Sequence, residues 1–167
     1  LDTAQLFVPD GLPVEDALAR TTHMAIGAHQ DDLEIMAIDG ILKCFQQADK
    51  WFSGVVMTNG SGSPRDDLYK DYTDEEMRVV RIKEQKKAAV VGEFSALALL
   101  DYPSAAVKDG ADKNPVQDIA LLLKAAWPEV VYTHNLADKH DTHVGVTLKV
   151  IEAIRSLHQV DRSPQLY

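Results

Sequence analysis

Met24-Ala25-Ile26-Gly27-Ala28-His29-Gln30-Asp31-Asp32 passes from small and apolar residues straight into a polar cluster. A second stretch repeats the arrangement. Val130-Val131-Tyr132-Thr133 leads into His134-Asn135-Leu136-Ala137-Asp138-Lys139-His140-Asp141-Thr142-His143. Short apolar runs without polar alternation are the pattern of strands buried on both faces, as in a parallel sheet covered by helices. Each polar cluster then stands at the carboxyl end of a strand, which is where open α/β sheets place their ligands.

Working outward, strand-like and helix-like segments alternate. The first strand is expected over residues 24–28. A helix over 33–47 follows, with Ile35, Ile38, Ile41, Leu42 and Phe45 on one face. A second strand over 55–58 ends in Asn59-Gly60-Ser61-Gly62-Ser63-Pro64, and a polar loop then leads to a helix over 74–91 closed by Gly92. The third strand is expected over 96–100. Asn114 and Pro115 supply a cap and a first-turn proline for a helix whose apolar positions are Val116, Ile119, Ala120 and Leu123. The fourth strand covers 130–133, and the last helix 144–157 turns Leu148, Ile151 and Ile154 inward.

This order predicts an α/β fold: a doubly wound, mostly parallel, Rossmann-like sheet with helices on both faces. In the strand order 3-2-1-4 the first and fourth strands are neighbours where the winding reverses, so the two polar clusters meet. Residues 1–22, with Pro9, Gly11, Pro13 and a short helix over 14–20, read as a lead-in to a single domain over 23–167. The fourth strand would be an edge. Gln165-Leu166-Tyr167 reads as the start of the strand that covers it. We therefore expect either further C-terminal strands beyond this chain or a second copy shielding the edge, as a homo-oligomer.

Composition narrows the function. The net charge of −9, from 17 basic and 26 acidic side chains, disfavours a nucleic-acid surface. Cys44 is the single cysteine, which rules out an intrachain disulfide and a thiolate metal knuckle, and its place in the helix pattern makes it a small buried hydrophobe. No stretch approaches the ~20 apolar residues of a membrane span, and residues 1–10 lack the pattern of a signal peptide. A cytoplasmic enzyme is the expectation.

His29 and Asp32, three apart at a strand-to-helix turn, and His143 from the neighbouring loop form a three-ligand set for a catalytic divalent metal, zinc or another, with a position open to water. Asp31 is close enough to act as general base on that water. Helix capping is the competing account: Asp31 with Glu34, or Asp32 alone, would cap the first helix, and Asp141 or Thr142 the last. The Asn59-Gly60-Ser61-Gly62-Ser63 turn lacks the Gly-Lys-Ser/Thr ending of a phosphate loop and fits a substrate-facing turn better. His23 is expected at the surface, and His158 at a helix C-terminus. His134 either supports the metal ligands or merely ends its strand. Trp51 and Trp127 are expected to pack rather than to bind sugars.

At these residues the chain resembles the PIG-L/LmbE-like family of zinc-dependent N-acetylglucosaminyl deacetylases. Ala28-His29-Gln30-Asp31-Asp32 is similar to the family's Ala-His-Pro-Asp-Asp motif, and His140-Asp141-Thr142-His143 to its His-Pro-Asp-His motif. Between them, residues 55–60 resemble its strand ending in Thr-Asp/Arg-Gly. Arg81-Ile82-Lys83-Glu84, with Ala88, Ala89 and Gly92, resembles its Arg-x-x-Glu helix. The resemblance spans residues 22–154. It implies that His29, Asp32 and His143 bind metal and that Asp31 is the base. It further implies that His140 stabilises an oxyanion or protonates the leaving amine, and that Arg81 lines the substrate pocket. The implied reaction removes an N-acyl group, acetyl above all, from a small-molecule amino sugar or sugar conjugate. Two alternatives stand beside it: a carbohydrate-binding member of the same fold without turnover, and another metal hydrolase such as a phosphoesterase. Three departures matter. Gln30 replaces proline and should loosen the turn, the aspartate of the second motif falls one position early, and the chain stops where family members continue.

Overall fold

The computed structural model describes residues 1–157 and 163–167, so His158 lies outside the described residues. Four parallel strands form the centre of the sheet: β2 (His23–Gly27), β3 (Phe52–Thr58), β4 (Ala96–Tyr102) and β5 (Val130–Tyr132). Two short strands flank them. β1 (Gln5–Phe7) runs antiparallel to β4, and β6 (Gln165–Leu166) runs parallel to β5. The full order is β1-β4-β3-β2-β5-β6. Its centre is the expected 3-2-1-4, so β2 and β5 are neighbours, and Gln165 and Leu166 cover β5 as the sequence suggested. The strand inside the lead-in has no counterpart in the sequence reading, because three residues are too few to show a period.

Alternation along each strand divides the core between two faces. Met24, Ile26, Val55, Met57, Ala96 and Ala98 join one cluster, under α1 (Val14–Ala19), α5 (Ser104–Lys108), α6 (Asn114–Ala126) and α7 (Asp141–Ser156). Ala25, Phe52, Val56, Leu97 and Leu99 join the other. That second face is covered by α2 (Asp32–Met36), α3 (Ile38–Cys44) and α4 (Asp74–Val91). Buried Cys44 belongs to it as a packing residue.

Two helices turn a different face inward from the one their largest hydrophobes indicate. The segment expected as one helix over 33–47 breaks at Ala37 into α2 and α3. Its buried line is Leu33, Ala37, Ile41 and Cys44, while Ile35, Ile38 and Leu42 are exposed. The cause is close approach. A Cβ on Gly40 would lie 2.5 Å from the Tyr132 ring, so α3 meets this β5 side chain through a residue that has none. In α7 likewise, Val146, Thr147, Lys149, Val150 and Ala153 are buried and Leu148 is exposed. Lys149 enters the core because its Nζ donates to the carbonyls of Asp109 and Asp112, at 2.9 and 2.8 Å. His23, expected at the surface, is buried at the start of β2, with Nδ1 2.9 Å from the Thr22 hydroxyl. Among the described residues no helix is long and apolar enough to cross a membrane.

Candidate metal centre and active-site cleft

The turn after β2 is pinned from three directions. The Ala28 N–H donates to Nε2 of His134 at 2.9 Å, and the Ala28 carbonyl accepts from Thr58 N–H at 2.9 Å. Gln30, in place of the family's proline, is 2% exposed, and its Nε2 donates to the Thr58 carbonyl at 3.1 Å. The turn is therefore tied to the end of β3, not loosened. Gly60 makes room for this side chain: its φ is +72°, and a Cβ there would lie 2.5 Å from Gln30 Oε1.

Helix α4 supplies the third attachment. Asp31 adopts φ 80°, a left-handed conformation that costs a non-glycine residue about 1–2 kcal/mol. Its N–H donates to Oε1 of buried Gln85 at 2.8 Å, and Gln85 Nε2 donates to Glu34 at 2.7 Å. One helical turn earlier, Arg81 donates to the Gln30 carbonyl at 2.6 Å, to Asp31 at 2.9 Å and to Glu84 at 2.6 Å. Arg81 thus lines the cleft with both terminal guanidinium nitrogens already committed to protein partners. Gln85 is a site-supporting residue that the sequence reading missed. The sequence offers only a weak signal for it: Gln85 falls at four-residue spacing from Ala89 and eight from Met77, the apolar positions that α4 buries.

The second cluster folds back onto the first. Thr133 Oγ1 donates to the Ile26 carbonyl at 3.0 Å and holds the end of β5 against β2. His29 Nδ1 lies 3.2 Å from His143 Nε2 and 3.3 Å from Asp32 Oδ2, and the third side of the triangle, His143 Nε2 to Asp32 Oδ2, is 3.6 Å. Ligand atoms about 2.0–2.1 Å from a tetrahedral metal stand about 3.3–3.4 Å apart, so this donor set fits one divalent ion. His140 belongs to a wider group with His29 and His143, and its ring stacks on that of His143 at 4.4 Å. His134 also stacks on the His143 ring, at 3.9 Å, and its Nε2 lies 3.3 Å from Asp32.

Burial works to raise the Asp32 carboxyl. The ring nitrogens of His134 and His29, with the His29 N–H at 2.6 Å, outweigh it and hold Asp32 far below the usual carboxylate range. Burial also lowers the His140 imidazole, and the neighbouring His143 and His29 add to the effect.

Capping accounts for less than these contacts do. Neither Asp31 nor any other side chain caps α2, and the residue capping α7 is His140, whose Nδ1 accepts the Thr142 N–H at 3.3 Å. His29, Asp31, Asp32, Arg81 and His140 all line one cleft of about 460 Å³, together with Asn59 and Gly60. Every residue the sequence singled out for the site is therefore brought to one place. Trp51 and Trp127 stay outside it: Trp51 lies under the Arg20 guanidinium at 3.6 Å, and Trp127 ends α6.

The fold and these motifs agree with the comparisons. The family model for PIG-L, described as GlcNAc-PI de-N-acetylase, matches residues 24–154, and the chain belongs to that family. The solved structures most like it include the N,N'-diacetylchitobiose deacetylase from Pyrococcus horikoshii, with TM-score 0.70 and 19% identity over 86% of this chain and 52% of that one. The 4-carboxy-2-hydroxymuconate hydratase from Pseudomonas putida superposes with TM-score 0.70 and 20% identity, over 86% of this chain and 60% of that one. A deacetylase of the teicoplanin biosynthesis pathway superposes with TM-score 0.63 and 16% identity, over 82% and 64%. The chain thus spans between half and two thirds of the length of these structures. No curated protein sequence matches it.

Proposed function

We propose that the chain carries the site of a metal-dependent hydrolase that removes an N-acyl group, acetyl first, from an amino sugar or sugar conjugate. The observation that carries this reading is the triangle of His29, Asp32 and His143 opening onto a cleft whose walls hold Asp31 and His140. Zinc or another divalent ion held there would acidify a bound water and polarise the acyl carbonyl.

The chain's own groups divide the remaining work. Asp31, 62% exposed, presents its carboxylate to the cleft, where it would take the proton of the attacking water. Arg81 and Gln85 keep the Asp31 backbone in its left-handed turn, so the two adjacent carboxylates point apart: Asp32 inward to the triangle, Asp31 outward to the cleft. His140 accepts the Thr142 N–H on Nδ1, so its neutral ring carries the proton on Nε2 and can donate to the oxyanion as the amide carbon becomes tetrahedral.

The hydratase with the same fold shows that architecture alone does not choose the reaction. The deciding experiment is acetate release from N-acetylated mono- and disaccharides by the zinc-loaded protein and by Asp31→Asn. We expect release by the parent, with kcat lowered about 10²–10⁴-fold in the variant and its metal retained. A zinc-loaded parent that releases no acetate from any N-acetylated sugar would overturn the reading.

A further inference from the structure

We propose that Asp138 is a positioning residue that sets the tautomer of His143 and thereby aims the Nε2 lone pair at the metal triangle. Three observations converge on it. Asp138 Oδ2 lies 3.0 Å from His143 Nδ1, the ring nitrogen on the far side from Asp32 and His29. Asp138 Oδ1 accepts the backbone N–H of His140 at 2.8 Å, so one carboxylate engages both histidines of the second motif. The turn that presents it is built locally: Asp138 N–H donates to the Asn135 carbonyl at 3.0 Å, and Asn135 Oδ1 accepts the Ala137 N–H at 2.8 Å.

A neutral imidazole has one N–H and one lone pair. A carboxylate can only accept, so the nitrogen facing Asp138 carries the proton and Nε2 is left bare. Stacking cannot make that choice. His134 and His140 lie nearly parallel to the His143 ring, at 10° and 13°, and parallel rings restrict tilt without distinguishing one nitrogen from the other. The other carboxylates compete less well: Asp32, on the Nε2 side, stands 3.6 Å away, beyond hydrogen-bond reach, against 3.0 Å for Asp138, and Asp141 is 3.7 Å from a nitrogen of His140 instead. In this chain the carboxylate partner in the second motif therefore serves His143, from two positions before His140. His140 makes do with the Thr142 amide. An outer carboxylate of this kind is worth about 10–100-fold in metal affinity where it has been removed. The consequence for affinity rests on the metal-site reading above, but the tautomer itself does not.

The test uses Asp138→Asn. Its amide oxygen can keep the His140 N–H, while its NH₂ group faces His143 Nδ1 and donates to it, which forces the proton onto Nε2. In the metal-free full chain at pH about 8, above the ordinary histidine range, ¹⁵N–¹H correlation of the His143 ring should show the Nδ1–H form in the parent. The same spectrum of the variant should show the Nε2–H form, with the His140 amide resonance little moved. Zinc affinity, read by competition with a chromophoric chelator, should fall about 10–100-fold in the variant. Asp138→Ala, which offers neither donor nor acceptor, should give a mixture of tautomers and an intermediate affinity. An unchanged Nδ1–H form in Asp138→Asn would overturn the proposal. So would an inverted tautomer with unchanged zinc affinity. If the parent binds no zinc, the metal reading fails, while the tautomer spectra still decide the role of Asp138.

Discussion

The two loops that meet at the metal triangle are held in opposite ways. The turn at residues 28–32 is fixed from outside: β3 through Thr58, the start of the second loop through His134, and α4 through Arg81 and Gln85. The loop at 134–143 holds itself, through Asn135, Asp138 and the stack of His134, His143 and His140. The first loop pins a strained backbone, and strain at φ 80° persists only where surroundings over-determine it. The second carries no left-handed residue, so short-range hydrogen bonds suffice. Damage to the first loop should therefore come from distant residues, and damage to the second from residues within it.

The largest effects are expected where the loops touch. His29→Ala and His143→Ala each remove a corner of the triangle, and elemental analysis should show both losing bound metal. Asp32→Asn should do the same. Asp31→Asn should keep metal and lose turnover. A reversal of the two aspartates would mean that their roles have been exchanged, and full metal occupancy in both histidine variants would sink the triangle.

Next in size are the supports. Gln85→Leu leaves the Asp31 N–H and the Glu34 carboxylate without their buried partner. It should cost about 1–3 kcal/mol of stability and lower kcat through the Asp31 turn that Gln85 holds. Asn135→Ala removes one exposed turn bond from the second loop. It should cost under about 1 kcal/mol in urea unfolding. Equal losses from the two variants would erase the distinction between an externally and an internally held loop.

The sequence showed the strands and their order, and singled out the three residues that meet at the triangle, because each rests on local pattern. Apolar runs end in His-x-x-Asp and His-x-x-His, and the doubly wound order then leaves one way to bring them together. What stayed hidden depends on approach distances between elements. Ile35, Ile38 and Leu42 dominate the helical pattern, yet Gly40 against Tyr132 decides which side of α3 faces the sheet. Gln85 reads as an ordinary polar helix residue until the turn at Asp31 is seen to need an acceptor. Asp138 reads as loop polarity until His143 is found beside it. Arg81 was legible by family resemblance as a cleft residue, but its three protein partners emerge only from the packing of α4 on the turn.

The smallest expected effect lies at the opposite end of β2, and it tests whether acid sensitivity belongs to the site alone. Burial lowers the His23 imidazole, with Glu129 opposing and Lys43 and Lys50 adding to the shift. The unfolded chain binds a proton at His23 near its ordinary value of about 6.5, which the folded chain resists until lower pH. His23 therefore supports the fold fully above about pH 6.5, and that support drains away as the pH falls through this value. Replacing it by Gln removes the titration at this position. Urea unfolding at pH 7.5 and 5.5 should show the parent losing more stability between the two than His23→Gln loses. Contributions from groups common to both proteins cancel in the difference. If parent and variant lose stability equally, the acid sensitivity resides elsewhere in the molecule, and the buried histidine at the start of β2 is neutral in that balance.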